Sequence, residues 1–187
     1  MKITKLNLEG AMIIEPDVFQ DDRGYFLETY QKTRYRKFGI DVSFVQDNLS
    51  FSTKETLRGL HFQYPQSQAK LVQVIQGEVL DMIVDIRRGS PTFGCWGGVR
   101  LSEKNHKQLF VPEGFAHGYC VLSDKAVFSY KCSDFYALEC EKGVLWSDQE
   151  IGIDWPVKVP VLSEKDRQYP FLKNIPDEDL PEYHAVL

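Results

Sequence analysis

Basic residues are in deficit: 22 Lys and Arg stand against 27 Asp and Glu, a formal net charge of −5 over 187 residues. A general binder of nucleic acid or anionic membrane wants a basic surface, so the charge argues against both classes, whereas a local cationic pocket for a small anion is still allowed. Long apolar runs are missing too. Nothing approaches the roughly 20 apolar residues of a membrane span. The opening "MKITKLNLEGAMIIEPD" is broken by charges and glycine where a secretory leader would be apolar, so a cytoplasmic protein is expected. Cysteine is scarce: Cys95, Cys120, Cys132 and Cys140 make no CxxC pair. Free thiols in a reducing compartment are therefore expected rather than a disulfide framework. Repeats, low-complexity tracts and linkers are absent, which leaves one domain spanning residues 1–187.

Aromatic residues are plentiful, with twelve Phe, nine Tyr and three Trp. They cluster in short stretches rich in Val, Ile, Phe and Tyr: "FVQDNLSFS", "KLVQVIQGEVLDMIVDIR", "CWGGVRLS", "QLFVPEGFAHGYCVLS" and "AVFSYKCSDFY". These read as strands separated by Gly and Pro turns, with "VIQGEVLDMIV" as two strands joined around Gly77. Helix is expected only at "TRYRKFG", closed by Gly39, and at "SEKDRQYP", opened by Ser163 and stopped before Pro170. Many strands without long helices favour a β-sandwich or barrel. The tail from about 170 to 187, polar and broken by proline, is expected on the surface.

Four histidines leave few candidates for acid–base or metal chemistry. His61 lies in "RGLHFQ". In a regular strand Arg58, Leu60 and Phe62 share one face and Gly59, His61 and Gln63 the other. Arg58 and His61 reach a common site only if the strand bends, and Gly59 permits a bulge. Taken alone, His61 fits a hydrogen-bonded structural histidine, a metal ligand or a base. His117 lies in "VPEGFAHGY", whose P-x-G-x-x-H spacing matches the second cupin motif, but the H-x-H and glutamate of the first motif are missing after His61. Two imidazoles without a third strong ligand make a poor zinc or iron site, so no metal is expected. Lys70, Arg58 and Arg23 are cations in apolar surroundings, surface charges singly and an anion site if they converge. Tyr130 alternates with Phe128 and Cys132, either as plain core or as a phenol able to donate a proton. Tyr136 is packing or a stacking surface.

Together the segments "DDRGYFLE", "FVQDNLSFS", "LRGLHFQ", "QAKLVQVIQGEVLDMIVDIRRGSPTFG", "VPEGFAHGYCVLS", "YKCSDFY", "CEKGVLWSD", "IGIDWP" and "LSEKD" resemble one family, the dTDP-4-dehydrorhamnose 3,5-epimerases of the dTDP-L-rhamnose pathway. The resemblance spans residues 10–168; "KCSDFYALECEK" is its least typical segment. It implies an all-β, cupin-type jelly roll with a few short peripheral helices, acting as a homodimer without metal or cofactor on a dTDP-linked 4-keto-6-deoxyhexose. It further implies His61 as general base, Tyr130 as general acid, Asp166 as the carboxylate orienting His61, and Lys70 as the cation beside the sugar's carbonyl oxygen. Asn48, Arg58 and His117 fall at sugar and diphosphate positions, Tyr136 at the position stacking on thymine, and Gln46, Glu141 and Lys165 at further substrate contacts. Arg23, Phe26 and Glu28 fall in the segment that in this family reaches the neighbouring subunit's site. A relative inverting one carbon only, and a non-catalytic sugar-binding cupin, are the alternatives.

Overall fold

In the computed structural model, which describes residues 1–184, the regular structure is almost entirely antiparallel sheet. Six strands form one sheet in the order β1 (Lys2–Lys5), β2 (Met12–Glu15), β10 (Gln108–Val111), β7 (Lys70–Gln76), β12 (Lys125–Cys132) and β5 (Gln46–Thr53). Five form a second: β13 (Glu141–Gly143), β6 (Leu57–Gln63), β11 (Phe115–Val121), β8 (Glu78–Asp85) and β9 (Trp96–Ser102). A separate hairpin pairs β3 (Val18–Asp21) with β4 (Gly24–Leu27). The two larger sheets make the expected jelly roll. Both expected helices are present as single short pieces, α1 (Lys32–Arg36) and α2 (Glu164–Gln168), the latter capped by the Ser163 hydroxyl accepting from the Asp166 N–H.

β7 and β8 are joined at Gly77, as expected, but lie in different sheets. The chain crosses from one to the other there at φ +83°, and a Cβ would lie 2.1 Å from the Lys125 carbonyl oxygen. Strand alternation then sorts the side chains into three apolar groups. Val72, Val74, Val79, Ile83, Leu109, Val121 and Phe128 meet between the sheets. Leu60, Phe62, Met82, Val84 and Cys120 project from the outer face of the five-stranded sheet. Met12, Ile14, Leu71 and Phe110 pack outside the other sheet against Tyr35 and Ile40 of the α1 region.

Most described residues of the tail are exposed, but three apolar side chains anchor it. Leu172, Ile175 and Leu180 are buried in the outer group of the five-stranded sheet, together with Trp155 and Val144. Without this cover, β8 and β11 would expose an apolar face. The polar residues between these anchors face water, which is why local polarity reads as surface; residues 185–187 of that expectation lie outside the described residues.

The bend foreseen in β6 is present. His117 opposes His61 and Tyr119 opposes Arg58, so Gly118 alone faces the two residues Gly59 and Leu60. This bulge puts Arg58 and His61 on the inner face while Leu57, Leu60 and Phe62 stay outside. Gly59 has φ +118°, and a Cβ there would lie 2.7 Å from both the Gly118 Cα and the His117 carbonyl oxygen. Gly59→Ala is expected to lower unfolding free energy by about 2 kcal/mol or more, measured by urea denaturation. Wild-type stability in this variant would show that the strand straightens at no cost.

Candidate active site

The inner faces of both sheets turn polar at one end of the barrel. Two hollows of about 240 and 180 Å³ open there and share His61, Lys70 and Tyr130. The first continues past Gln46, Asn48, Tyr136 and Glu141; the second runs down to Ser50, Arg58, His117 and Tyr119. Each position follows from strand register. Gln46, Asn48 and Ser50 share one face of β5; Tyr130 stands opposite Asn48 on one side and Val72 on the other; Cys132 stands opposite Lys70. His61 comes from the five-stranded sheet and Tyr130 from the six-stranded one, so they face the cavity from opposite walls.

His61 Nε2 lies 2.5 Å from Asp166 Oδ1. Asp166 is buried, and its other oxygen accepts from the Ser163 hydroxyl at 2.7 Å. Burial pushes this carboxyl up, but the hydrogen bond and charge of His61, the Ser163 hydroxyl and the Gly59 N–H outweigh it and hold the group below the usual carboxylate range. With Nε2 engaged, Nδ1 is the nitrogen left to face a ligand. Burial likewise drives the Tyr130 phenol up, to about 12, so it remains protonated at neutral pH. For Lys70 burial lowers the ammonium, with nearby Cys132, Asp81 and Glu141 acting against it. Arg58 is held by its Nε donating to Ser52 Oγ at 2.9 Å.

At the mouth, the Tyr136 hydroxyl donates to Glu141 Oε2 at 2.8 Å and Lys165 Nζ donates to Glu141 Oε1 at 2.6 Å. Lys165 thus braces the wall from α2 without lining the cavity. Arg23, Phe26 and Glu28 are not brought to it. Arg23 pairs with Asp21 on the exposed β3–β4 hairpin, Phe26 is 68% exposed beside it, and Glu28 pairs with Arg34.

Ser50 and Tyr119 of the lining were not anticipated from the sequence, and two further residues beside the histidines also escaped it. Asp81 on β8 is fully buried and accepts from His117 Nε2, at 2.9 Å through Oδ1 and 3.1 Å through Oδ2. A lone carboxylate inside the apolar "VLDMIV" was its signal. Tyr169 stands edge-on to His61 at 5.7 Å between ring centroids, its buried hydroxyl without a partner among the described residues. Its place three residues after Asp166, one helical turn on, was the available clue. Among the described residues no group of three or more His, Cys, Asp or Glu is arranged to hold a metal ion.

A sequence profile of dTDP-4-dehydrorhamnose 3,5-epimerases matches residues 5–174. A dTDP-4-dehydrorhamnose 3,5-epimerase from Shigella flexneri is 54% identical over 168 residues, 89% of this chain and 93% of its own. The chain belongs to the dTDP-4-dehydrorhamnose 3,5-epimerase family. Within that family, the crystal structure of the Legionella pneumophila 3,5-epimerase in complex with dTDP-4-keto-L-rhamnose is similar at TM-score 0.96. It is 48% identical, and the match covers 98% of this chain and 99% of that one. A dTDP-4-dehydrorhamnose 3-epimerase from Streptomyces niveus is 39% identical over 188 residues, 100% of this chain and 91% of its own.

The lowered Asp166 carboxyl has a consequence for stability. A group ionised more readily when folded stabilises the native state above its unfolded pKa, and that contribution is lost as pH falls through the folded value. The stability gap between wild type and Asp166→Asn is expected at pH 7 and should shrink on acidification below about pH 4. Denaturation across a pH series checks this; a gap that persists in acid overturns it.

Proposed function

We propose that this protein is a dTDP-4-dehydrorhamnose 3,5-epimerase that inverts C3 and C5 of dTDP-4-keto-6-deoxy-D-glucose through His61 and Tyr130. The observation that carries this reading is the placement of a carboxylate-bound imidazole and a phenol on opposite walls of one cavity. The C4 keto group acidifies the hydrogens on both neighbouring carbons. Removal of a proton from one face of the ring by His61 Nδ1 leaves an enolate. Its reprotonation from the other face by Tyr130 inverts the carbon. Asp166 fixes the tautomer of His61 and stabilises the imidazolium, as the carboxylate does in other histidine bases. Lys70 supplies charge where the enolate oxygen develops, an arrangement whose loss costs about 10²–10³ in rate in comparable sites. The carbonyl belongs to the substrate, so the scheme calls on no cofactor.

In this reading Asn48, Arg58 and His117 hold the sugar and diphosphate, Tyr136 stacks on the base, and Gln46, Glu141 and Lys165 shape the mouth. Among the described residues no helix is long and apolar enough to cross a membrane. Inversion of both carbons is favoured over one because the 54% identical relative is a 3,5-epimerase and the 3-epimerase relative is 39% identical. The test is incubation in heavy water with dTDP-4-keto-6-deoxy-D-glucose. Deuterium is expected at both C3 and C5, and His61→Ala should lose about 10²–10⁴ in turnover while keeping its fold. Label at one carbon alone would make the protein a mono-epimerase. Undiminished turnover in the variant would leave His61 without a catalytic role, and no turnover at all in wild type would favour a sugar-binding cupin.

A homodimer completes the proposal. Leu49 and Phe51, on the outer face of β5, are 70% and 59% exposed, and Ile75 on β7 is 49% exposed. The β3–β4 hairpin likewise holds Phe19 and Phe26 in solvent, although a lone hairpin is marginally stable in water. A second copy covering these surfaces would bring Arg23, Phe26 and Glu28 toward its partner's cavity. Sedimentation should give a dimer for wild type and a shift toward monomer for Phe51→Lys. A monomeric wild type would remove those three residues from the site.

A further inference from the structure

The cavity contains a second histidine–carboxylate pair whose carboxylate has no assigned task. His117 and His61 are direct cross-strand partners, so their side chains stand on the same face of the sheet. Each engages a buried carboxylate through Nε2. Asp166 arrives on α2 from outside the sheet, whereas Asp81 belongs to the interior strand β8, beside His117 and on the inner face with Val79 and Ile83. A wholly buried carboxylate is costly unless bonded and compensated. Burial pushes the Asp81 carboxyl above the usual carboxylate range, and His117 and then Lys70 offset part of that rise.

We propose that Asp81 is a positioning residue: it clamps His117 through Nε2 so that Nδ1 is presented to the sugar, and its charge keeps the Lys70 ammonium in place for the developing enolate. The proposal rests on the epimerase reading. With Nε2–H fixed on a carboxylate, a neutral imidazole offers a lone pair at Nδ1, suited to a sugar hydroxyl. Around Lys70 stand Asp81 from β8, Tyr130 and Cys132 from β12, Arg58 and His61 from β6, His117 from β11 and Glu141 from β13. Of the two carboxylates among these, Glu141 is already bound by Lys165 and Tyr136. Asp81 is therefore the anion whose removal Lys70 should feel most. Loss of a nearby negative charge destabilises the ammonium, so its proton leaves at lower pH.

The experiment compares wild type with Asp81→Asn, which keeps shape and discards charge, by the pH dependence of kcat for deuterium exchange into the substrate. The variant is expected to lose about 10²-fold in kcat at pH 7, and its alkaline limb should move to lower pH. Equal rates and superimposed pH profiles overturn the proposal. Nitrogen-15 spectra of wild-type imidazoles provide a second readout that needs neither substrate nor variant. The neutral Nε2–H tautomer of His117 supports the clamp, and either the neutral Nδ1–H tautomer or an imidazolium overturns it, even where Asp81→Asn does not fold. Absence of exchange in wild type would count against the epimerase reading instead, while the spectra would still decide the clamp.

Discussion

Contact between two glycines is the constraint on which the site depends. Gly59 and Gly118 lie so close across β6 and β11 that a Cβ on Gly118 would fall 2.6 Å from the Arg58 carbonyl oxygen and 3.2 Å from the Gly59 Cα. That approach permits the bulge, and the bulge converts an i, i+3 pair from opposite faces to one face. Arg58 and His61 then share the cavity while the apolar residues between and beside them remain in the outer core. The Gly59 N–H also faces Asp166, so the same distortion that delivers the base contributes to its carboxylate.

The second requirement is charge in a buried place. Asp166, Asp81, Lys70 and His117 all sit at or near the inter-sheet space, where an unpaired ion would cost several kcal/mol. Each carboxylate is bonded to a histidine, and Asp166 receives a hydroxyl besides. α2 serves chiefly to deliver that group: its cap, Ser163, bonds both the Asp166 N–H and its carboxylate, fixing side chain and helix start together. Because these groups are oriented before any ligand arrives, little reorganisation accompanies charge development, which is the condition under which electrostatic stabilisation is strongest.

Much of this was legible in the sequence because it is local. β-branched and aromatic runs marked the strands, Gly77 marked the crossing, and the face argument at "RGLH" required a bulge that is found at Gly59. What escaped depends on long-range neighbours. Alternation lets Asp81 pass for the polar side of an amphipathic strand, but β8 is flanked by strands on both sides and covered on both faces, so the position is interior. The tail's charges likewise concealed Leu172, Ile175 and Leu180, whose burial is set by an apolar sheet face built more than fifty residues earlier in the chain. The residues expected of a neighbouring subunit's site, Arg23 and Phe26, lie on a hairpin away from the cavity, a placement that only a second copy of the chain could reconcile with that role.

Two facing sheets suit an inversion for a geometric reason. A planar enolate has two faces, and inversion requires the proton to leave by one and return by the other. An acid and a base on one strand would address a single face and favour retention. With His61 on one sheet and Tyr130 on the other, a ring held between the walls meets one group on each side. Both carbons flanking a carbonyl are activated by the same oxygen, so one cation beside it serves either deprotonation. A single acid, a single base and a single cation are thus chemically sufficient for two inversions, provided that the ring can present each carbon in turn.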